Sequence, residues 1–172
     1  VWSNGEPVTL DDIIYSLNKL KDPAQSVLAG VMSGIKELQK VDDRTLKVVL
    51  SQPQYNFPSM IALVQAGMYP KSSATIDYRT STDYMNGAGP FKFVERAPRS
   101  KFSLRKNDNY FVKGLPFLDG IDFYIMSDDA RVAAFVAGQL DDIGGARIGL
   151  QRQVDADTIR KQMPDAIVDF GL

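Results

Sequence analysis

The acidic residues are the side chains whose type and spacing most directly suggest chemistry, because aspartates occur as four adjacent pairs. The pairs are Asp11-Asp12, Asp42-Asp43, Asp128-Asp129 and Asp141-Asp142. Carboxylates can act as general acids and bases, and they bind hard cations such as calcium. The chain contains no histidine and no cysteine, which excludes zinc sites of the Cys/His type and Ser-His or Cys-His nucleophile pairs. A hydrolase could instead recruit the aspartates as acid–base pairs.

The first and third pairs lie where helices are expected to begin. The first pair follows Thr9, a favoured N-cap residue, at the start of a helix predicted over Leu10–Lys21. The third pair follows Ser127 in the same way, before a helix predicted over Asp128–Ala137 with Gly138 just past its end. Acidic residues in a first helical turn stabilise the helix dipole. Capping therefore explains both pairs better than catalysis does.

The second and fourth pairs do not form a convergent site either. The second pair lies in the turn of a hairpin predicted from Ile35–Val41 and Thr45–Leu50, without further ligands at calcium spacing. The fourth pair lies on a strand predicted over Leu140–Ile143, where adjacent side chains point to opposite faces. We expect no catalytic residue, no metal site and no cofactor.

The stretch from Asn86 to Tyr110 organises the rest of the chain. It opens with a glycine–proline turn that contains Gly87, Gly89 and Pro90. Glycine permits positive φ and proline fixes its own φ, so we expect a structural turn in which Gly89 has a positive φ. Strands are predicted to follow it over Phe91–Glu95 and Lys101–Lys106.

Periodicity and turn residues predict the remaining elements. These are a short helix over Phe57–Ala66 ended by Gly67, a strand over Ile121–Met126, a helix over Ala156–Met163 and a strand over Ala166–Phe170. The order of elements favours α+β structure in the front half and an α/β unit with some parallel pairing in the tail. The polar segment Lys71–Met85 predicts a boundary, with one domain over residues 1–85 and another over residues 86–172.

Composition gives little reason to expect a nucleic-acid or membrane partner. The 172 residues include 20 basic and 21 acidic side chains, a net charge of −1, with 44% hydrophobic and 24% charged residues. These are ordinary values for a globular protein. The near-neutral charge provides no electrostatic footprint for nucleic acid. No apolar run is long enough to span a bilayer, so we expect no direct membrane insertion.

Four motifs occur in order along the chain: WSNGEPVTLDDIIYSLNKLKDP near the start, VDDRTLKVVL, the run from NGAGPFKF to RKNDNY, and YFVKGLPFLDGIDFYIMSDDARVAAFVAGQLDDIGG. Together they resemble the family 5 extracellular solute-binding proteins, the peptide-, dipeptide- and nickel-type receptors of bacterial ABC importers. Met68–Lys71 also resembles a short strand of that family, so a strand is expected there. Two positions depart from the family pattern: Asn4 stands where aspartate is common, and Leu10 stands where alanine is common. Because the four motifs are in register, they are a far more specific indication than any one of them.

This resemblance implies a bilobal receptor of the periplasmic-binding-protein type II kind, which captures a peptide or other small solute and docks on a membrane permease. It implies a periplasmic location, or an extracellular, lipid-anchored one. Family members are longer, and the chain begins at Val1 rather than methionine, so we expect an internal fragment. By the family's layout, residues 1–85 would be part of the small extra domain. Residues 86–172 would be part of the first ligand-binding lobe, ending near the hinge.

The turn after the predicted Leu140–Ile143 strand is the expected ligand contact. Ligands of α/β sheets lie beyond the carboxyl ends of strands, where glycine lets the backbone approach. The candidates are Gly144, Gly145, Ala146 and Arg147. Arg147 could pair with a ligand carboxylate through its planar guanidinium, or it could be a solvated surface arginine. A hydrolase using acidic residues and a non-transport interaction module remain the alternative functions, and the sequence does not specify the solute.

Overall fold

The computed structural model describes residues 1–76, 81, 85–143 and 153–168, and their elements form a mixed α+β structure. The helices are α1 (Leu10–Lys21), α2 (Ala29–Met32), α3 (Phe57–Ile61), α4 (Asp128–Val136) and α5 (Gln153–Gln162), with a 3₁₀ turn at Lys71–Thr75. The strands are β1 (Ile35–Lys40), β2 (Leu46–Leu50), β3 (Phe91–Ala97), β4 (Lys101–Lys106) and β5 (Gly120–Tyr124).

The chain divides into two compact units. One comprises Val1–Glu95 and Ser103–Ile121, and the other comprises Arg96–Phe102 and the chain from Asp122 onward. The predicted division into residues 1–85 and 86–172 stays a prediction.

Helix α1 begins where the sequence predicts, because a reciprocal cap forms at its first turn. The Thr9 hydroxyl accepts a hydrogen bond from the Asp12 backbone N–H, and the Asp12 carboxylate accepts one from the Thr9 N–H. This capping box satisfies two backbone donors that a helix start would otherwise leave unpaired. The helix then presents Leu17 and Leu20 to the core, and both are buried.

The core of the first unit forms between α1 and the hairpin of β1 and β2. Its buried members are Leu17, Leu20, Leu28, Met32, Ile35 and Ala66. The alternate residues Leu46, Val48 and Leu50 of β2 pack against this cluster, as their spacing predicts. The hairpin is antiparallel, with Lys40 opposite Leu46 and Ile35 opposite Leu50, and a bulge between Ile35 and Glu37. Burial of this apolar stripe therefore sets the register of the hairpin.

The second sheet has the order β3-β4-β5. The three-residue connection between β3 and β4 requires antiparallel pairing, since parallel strands need a long crossover. The Lys106 N–H donates to the Asp119 carbonyl, and the Ile125 N–H donates to the Ser100 carbonyl, both at 2.8 Å. These two bonds run β5 antiparallel to β4. Both sheets that the described residues form are therefore antiparallel, and the parallel pairing predicted for the tail is not among them.

Helix α4 has the two ends that the sequence predicts. The Ser127 hydroxyl accepts a hydrogen bond from the Ala130 N–H. At the other end Gly138 has a φ of 71°. The N–H groups of Gly138 and Gln139 donate to the carbonyls of Phe135 and Ala134, each at 2.9 Å. This pair of bonds is a Schellman motif, which needs the left-handed residue that glycine supplies.

Two predicted features near α3 are wrong. The helix ends at Ile61 rather than Ala66, so Gly67 is not its C-cap. Val64 is 90% exposed, so burial does not reward extension of the helix. Met68–Lys71 is not a strand. Both backbone groups of Tyr69 lie against the Ser16 side chain instead of a strand ladder.

The short strands predicted near the C-terminus are also absent from the part of the chain that the structure describes. Leu140–Ile143 is irregular, and so are residues 166–168 of the predicted Ala166–Phe170 strand. Adjacent aspartates are poor strand formers, which accounts for the first case. The helix predicted over Ala156–Met163 is confirmed, with an earlier start at Gln153.

Candidate functional site

The Asp12 carboxylate lies at the centre of a buried hydrogen-bond network. Its side chain is 7% exposed. One oxygen, Oδ1, accepts a hydrogen bond from the Lys71 backbone N–H at 2.7 Å. The other, Oδ2, accepts from the Thr9 N–H at 2.8 Å, the Thr9 hydroxyl at 2.9 Å and the Trp2 indole N–H at 3.3 Å. One carboxylate therefore joins three separate stretches of chain.

This network keeps Asp12 ionised. Burial raises the pKa of Asp12, but the hydrogen bonds from Lys71, Thr9 and Trp2 together lower it below its ordinary value. Four donors on two oxygens are a typical arrangement for a buried carboxylate that remains charged. The charge stabilises the contacts of α1 with the Trp2 and Lys71 segments, and the bond from Thr9 agrees with the expectation that Asp12 caps α1.

Ser16 extends the same network by one helical turn. Its hydroxyl accepts a hydrogen bond from the Tyr69 N–H at 2.8 Å. Its oxygen also lies 2.8 Å from the Asp12 carbonyl and 3.1 Å from the Tyr69 carbonyl, either of which can accept its proton. Ser16 and Asp12 together thus hold the extended segment from Tyr69 to Lys71 against α1.

A second network joins three loops, which we call the loop junction: Ser3–Asn4, Asn86–Pro90 and Asn107–Asn109. The Ser3 N–H donates to the Gly87 carbonyl at 2.8 Å. The Asn86 side-chain oxygen accepts hydrogen bonds from the Ser3 hydroxyl at 2.6 Å and from the Asn4 N–H at 3.1 Å. The glycine–proline turn is therefore fastened to the N-terminal turn by three hydrogen bonds.

Asn107 fastens the other side of the turn. It is 1% exposed. Its side-chain amide donates to the Gly89 carbonyl at 2.7 Å, and its backbone N–H donates to the Pro90 carbonyl at 2.9 Å. The Asn107 side-chain oxygen accepts from the Asn109 N–H at 3.1 Å, and the Asn109 amide reaches the Ser3 carbonyl at 3.3 Å. These contacts close the loop junction.

The structure describes the predicted turn residues but not the predicted ligand contacts. Gly144, Gly145, Ala146 and Arg147 lie outside the described residues, so their role stays a prediction. Gly87, Gly89 and Pro90 lie in the loop junction.

The expectation of a positive φ at Gly89 is wrong, because neither Gly87 nor Gly89 has one, whereas Gly5 has a φ of 89°. The residue before a proline is driven toward extended backbone, and Gly89 precedes Pro90.

Two polar residues of these networks were not predicted to reach distant partners. Asn107 opens the Asn-Asp-Asn turn, and its side chain accepts the Asn109 N–H in the Asx turn that such sequences favour. That local bond is readable from the sequence, but the bond to Gly89 is not. Asp12 was predicted as a cap, but nothing in its local sequence indicates the bonds to Trp2 and Lys71.

The remaining aspartates show no arrangement for catalysis or metal binding in the part of the chain that the structure describes. Asp42 accepts a hydrogen bond from the Arg44 N–H at 2.7 Å, as a turn aspartate does. Asp128 pairs with Arg131 one turn along α4. The described residues contain no group of three or more histidine, cysteine or acidic side chains that could hold a metal. Among the described helices, none has the length and apolar character needed to cross a membrane.

Sequence comparison identifies the family. Residues 1–169 match the sequence model described as bacterial extracellular solute-binding proteins, family 5 Middle. The chain belongs to this family. The dipeptide-binding protein DppE of Bacillus subtilis is 30% identical over 162 residues, which cover 81% of this chain and 29% of DppE. A probable ABC transporter-binding protein of Deinococcus radiodurans is 32% identical over 170 residues, 81% of this chain and 28% of that protein.

Structure comparison agrees on the fold. The periplasmic binding protein AgaA of A. tumefaciens R10, solved with agropinic acid, superposes with a TM-score of 0.79 at 29% identity. The match covers 93% of this chain and 32% of AgaA. The chain thus spans less than a third of the length of each of these three relatives. The fold is a mixed α+β part of a bilobal periplasmic binding protein, as the sequence predicts.

We expect Asp12→Ala to destabilise the protein by about 2–4 kcal/mol, because the Lys71 N–H and the Trp2 indole N–H lose their acceptor and α1 loses its cap. The pKa of Asp12 is lowered by folding. Its stabilisation is therefore present above the unfolded pKa, which is about 3.9, and is lost as the pH falls through the folded pKa. Urea denaturation across acidic and neutral pH measures both effects.

Asp11→Asn is the matched control for this prediction. Asp11 is exposed, and its carboxylate lies 3.9 Å from the Lys71 ammonium. Exposed pairs contribute little, so this change should cost less than about 1 kcal/mol. Asp12→Asn should flatten the acid-side loss of stability, and Asp11→Asn should not. Equal pH profiles for wild type and Asp12→Asn would contradict the role of the carboxylate.

Gly5 and Gly89 offer a second matched pair. A Cβ at Gly89 would meet no atom within 4 Å, and its φ is not positive. We therefore expect Gly89→Ala to change stability by less than about 0.5 kcal/mol. Gly5→Ala should cost about 1–2 kcal/mol, because L-residues are strained at positive φ. Thermal melting of both variants gives the comparison, and a larger loss for Gly89→Ala than for Gly5→Ala would contradict it.

Proposed function

We propose that this chain is part of the solute receptor of a bacterial ABC importer, which captures a peptide or similar small solute and delivers it to a membrane permease. The observation that carries the proposal is the family match over residues 1–169. The named function of DppE and the transporter assignment of the Deinococcus protein point in the same direction. An extracellular family agrees with a receptor that is periplasmic, or lipid-anchored outside the cell.

The family layout supports a division of labour along the chain. Residues 1–85 would form part of a small domain, and residues 86–172 would form part of the first ligand-binding lobe. The two hydrogen-bond networks lie within the first compact unit and satisfy their own polar groups, which suits a scaffold. Ligand contact is then assigned to Gly144, Gly145, Ala146 and Arg147. The Arg147 guanidinium would pair with a solute carboxylate.

A hydrolase is not favoured by any observation on the described residues. The Asp12 carboxylate caps α1 and accepts hydrogen bonds from the Lys71 N–H and the Trp2 indole. The Asp42 carboxylate accepts a hydrogen bond from the Arg44 N–H within its turn. Asp128 is paired with Arg131. The matched relatives are named as binding proteins. An interaction module outside transport has no specific support either.

The decisive experiment measures solute binding by these 172 residues alone. A bilobal receptor closes two surfaces over its solute, and a part of it makes only some of the contacts. The entropic cost of association does not fall as the number of contacts falls, so the remaining contacts yield little net affinity. We therefore expect calorimetry with di- to oligopeptides to give a dissociation constant no better than about 1 mM, near −4 kcal/mol. Peptides recovered after incubation should be intact.

Micromolar binding by this chain alone would place the whole site within it and would contradict the division of contacts. Peptide cleavage would contradict a receptor.

In a receptor that contains this chain together with its second lobe, Arg147→Ala should weaken binding of a carboxylate-bearing solute by about 10- to 100-fold, the usual effect of losing a charged hydrogen bond. Arg96→Ala is the control, because Arg96 is an exposed residue of β3. Equal affinities for the two variants would show that Arg147 does not contact the solute.

A further inference from the structure

The dipeptide Asn-Gly occurs twice in the chain, at Asn4-Gly5 and Asn86-Gly87. Glycine has no side chain to shield its backbone nitrogen, so this nitrogen can attack the carbonyl of the preceding asparagine side chain. Both asparagines lie in the loop junction, but the structure surrounds the two Asn-Gly pairs differently.

The Asn86 side-chain carbonyl is polarised by two hydrogen-bond donors. Its carbonyl oxygen accepts hydrogen bonds from the Ser3 hydroxyl at 2.6 Å and the Asn4 N–H at 3.1 Å. Two donors on one carbonyl oxygen polarise the carbon and stabilise negative charge on the oxygen, as an oxyanion hole does. The Gly87 N–H donates to no acceptor among the described residues. A Cβ at Gly87 would meet only the Gly89 nitrogen, at 3.9 Å, so the surroundings are open.

Asn4 is arranged differently. The Gly5 N–H, which would supply the attacking nitrogen, donates to the Trp2 carbonyl at 2.9 Å. The Asn4 side chain is held at both ends by Glu6. Its oxygen accepts from the Glu6 N–H at 3.1 Å, and its amide donates to the Glu6 carboxylate at 2.9 Å. The nucleophile and the leaving amide of Asn4 are thus both engaged.

We propose that Asn86 is a site of spontaneous deamidation, promoted by the hydrogen bonds from Ser3 and Asn4. The Gly87 nitrogen loses its proton to hydroxide or water and forms a bond to the Asn86 Cγ. The bond from Cγ to the amide nitrogen then breaks, and the amide leaves with a proton as ammonia. Water opens the resulting succinimide at either carbonyl, which gives aspartate or isoaspartate. The net change consumes one water and releases one ammonia.

The two products differ in what they do to the loop junction. Aspartate keeps an oxygen that can accept from Ser3 and Asn4. Isoaspartate adds a methylene group to the main chain and shifts Gly87 along it. The 2.8 Å hydrogen bond from the Ser3 N–H to the Gly87 carbonyl would then be lost. The isoaspartate form should therefore melt at a lower temperature than the unmodified protein.

The test is peptide mapping by mass spectrometry after incubation of the folded chain in neutral buffer. Asn86 should deamidate faster than Asn4. Ser3→Ala should slow the reaction at Asn86 by roughly 3- to 10-fold, the effect of removing one neutral hydrogen bond. Ser3→Thr keeps the hydroxyl and should retain the rate. Gly87→Ala should slow the reaction further, and the open surroundings of Gly87 accommodate the added methyl group.

The urea-unfolded chain supplies the reference, because there the two Asn-Gly pairs should react at similar rates. Faster reaction at Asn4 in the folded chain would overturn the proposal. So would reaction at Asn86 that is slower in the folded chain than in urea, since that result would mean that the hydrogen bonds immobilise Asn86 instead of activating it. Equal rates for Ser3→Ala and wild type would also overturn it.

Discussion

The first compact unit depends on one buried charge, the Asp12 carboxylate at the start of α1. Removing a carboxylate from water is costly unless hydrogen bonds replace the lost hydration. Here four donors do so, from Trp2, Thr9 and Lys71. The requirement acts in both directions. The charge needs these donors, so the N-terminal turn and the segment at Lys71 must both lie beside α1. Lys71 is 59 residues from Asp12 in the sequence.

The loop junction meets the same requirement with neutral groups. Backbone carbonyls of Gly87, Gly89 and Pro90 would be costly to bury without donors. Ser3 and Asn107 provide those donors. The two networks are continuous through the N-terminal turn, since Trp2 belongs to one and Ser3 to the other. Residues 2–4 therefore join α1 to the glycine–proline turn, through the buried Trp2 indole on one side and the half-buried Ser3 hydroxyl on the other.

The elements that could be predicted from sequence are those whose cause is local. Helix α1 has its cap and apolar stripe within 12 residues, and the β1-β2 hairpin has a tight turn followed by clear alternation in β2. The errors arise where distant groups decide. Tyr69 forms no strand because Ser16 binds its backbone. Gly89 has no positive φ because Pro90 follows it and Asn107 holds its carbonyl. The ligand contacts proposed at Gly144–Arg147 were expected beyond the end of a strand over Leu140–Ile143, which the structure shows as irregular, so the glycine turn is the local pattern that still supports them.

Two of the four motifs that carry the family resemblance contain these networks. The first contains Trp2, Thr9, Asp12 and Ser16, and the third contains the glycine–proline turn and Asn107. The Trp2 indole donates to the Asp12 carboxylate, and the other residues satisfy backbone groups or cap a helix, so each acts on the scaffold before any solute is bound. Relatives at nearly equal identity differ in their ligands: DppE is named for dipeptides, and AgaA was solved with agropinic acid. Relatives of this chain thus differ in the solutes they are named for or were solved with. Because the network residues described here are occupied by structural hydrogen bonds, we expect the positions that choose among solutes to lie outside these networks.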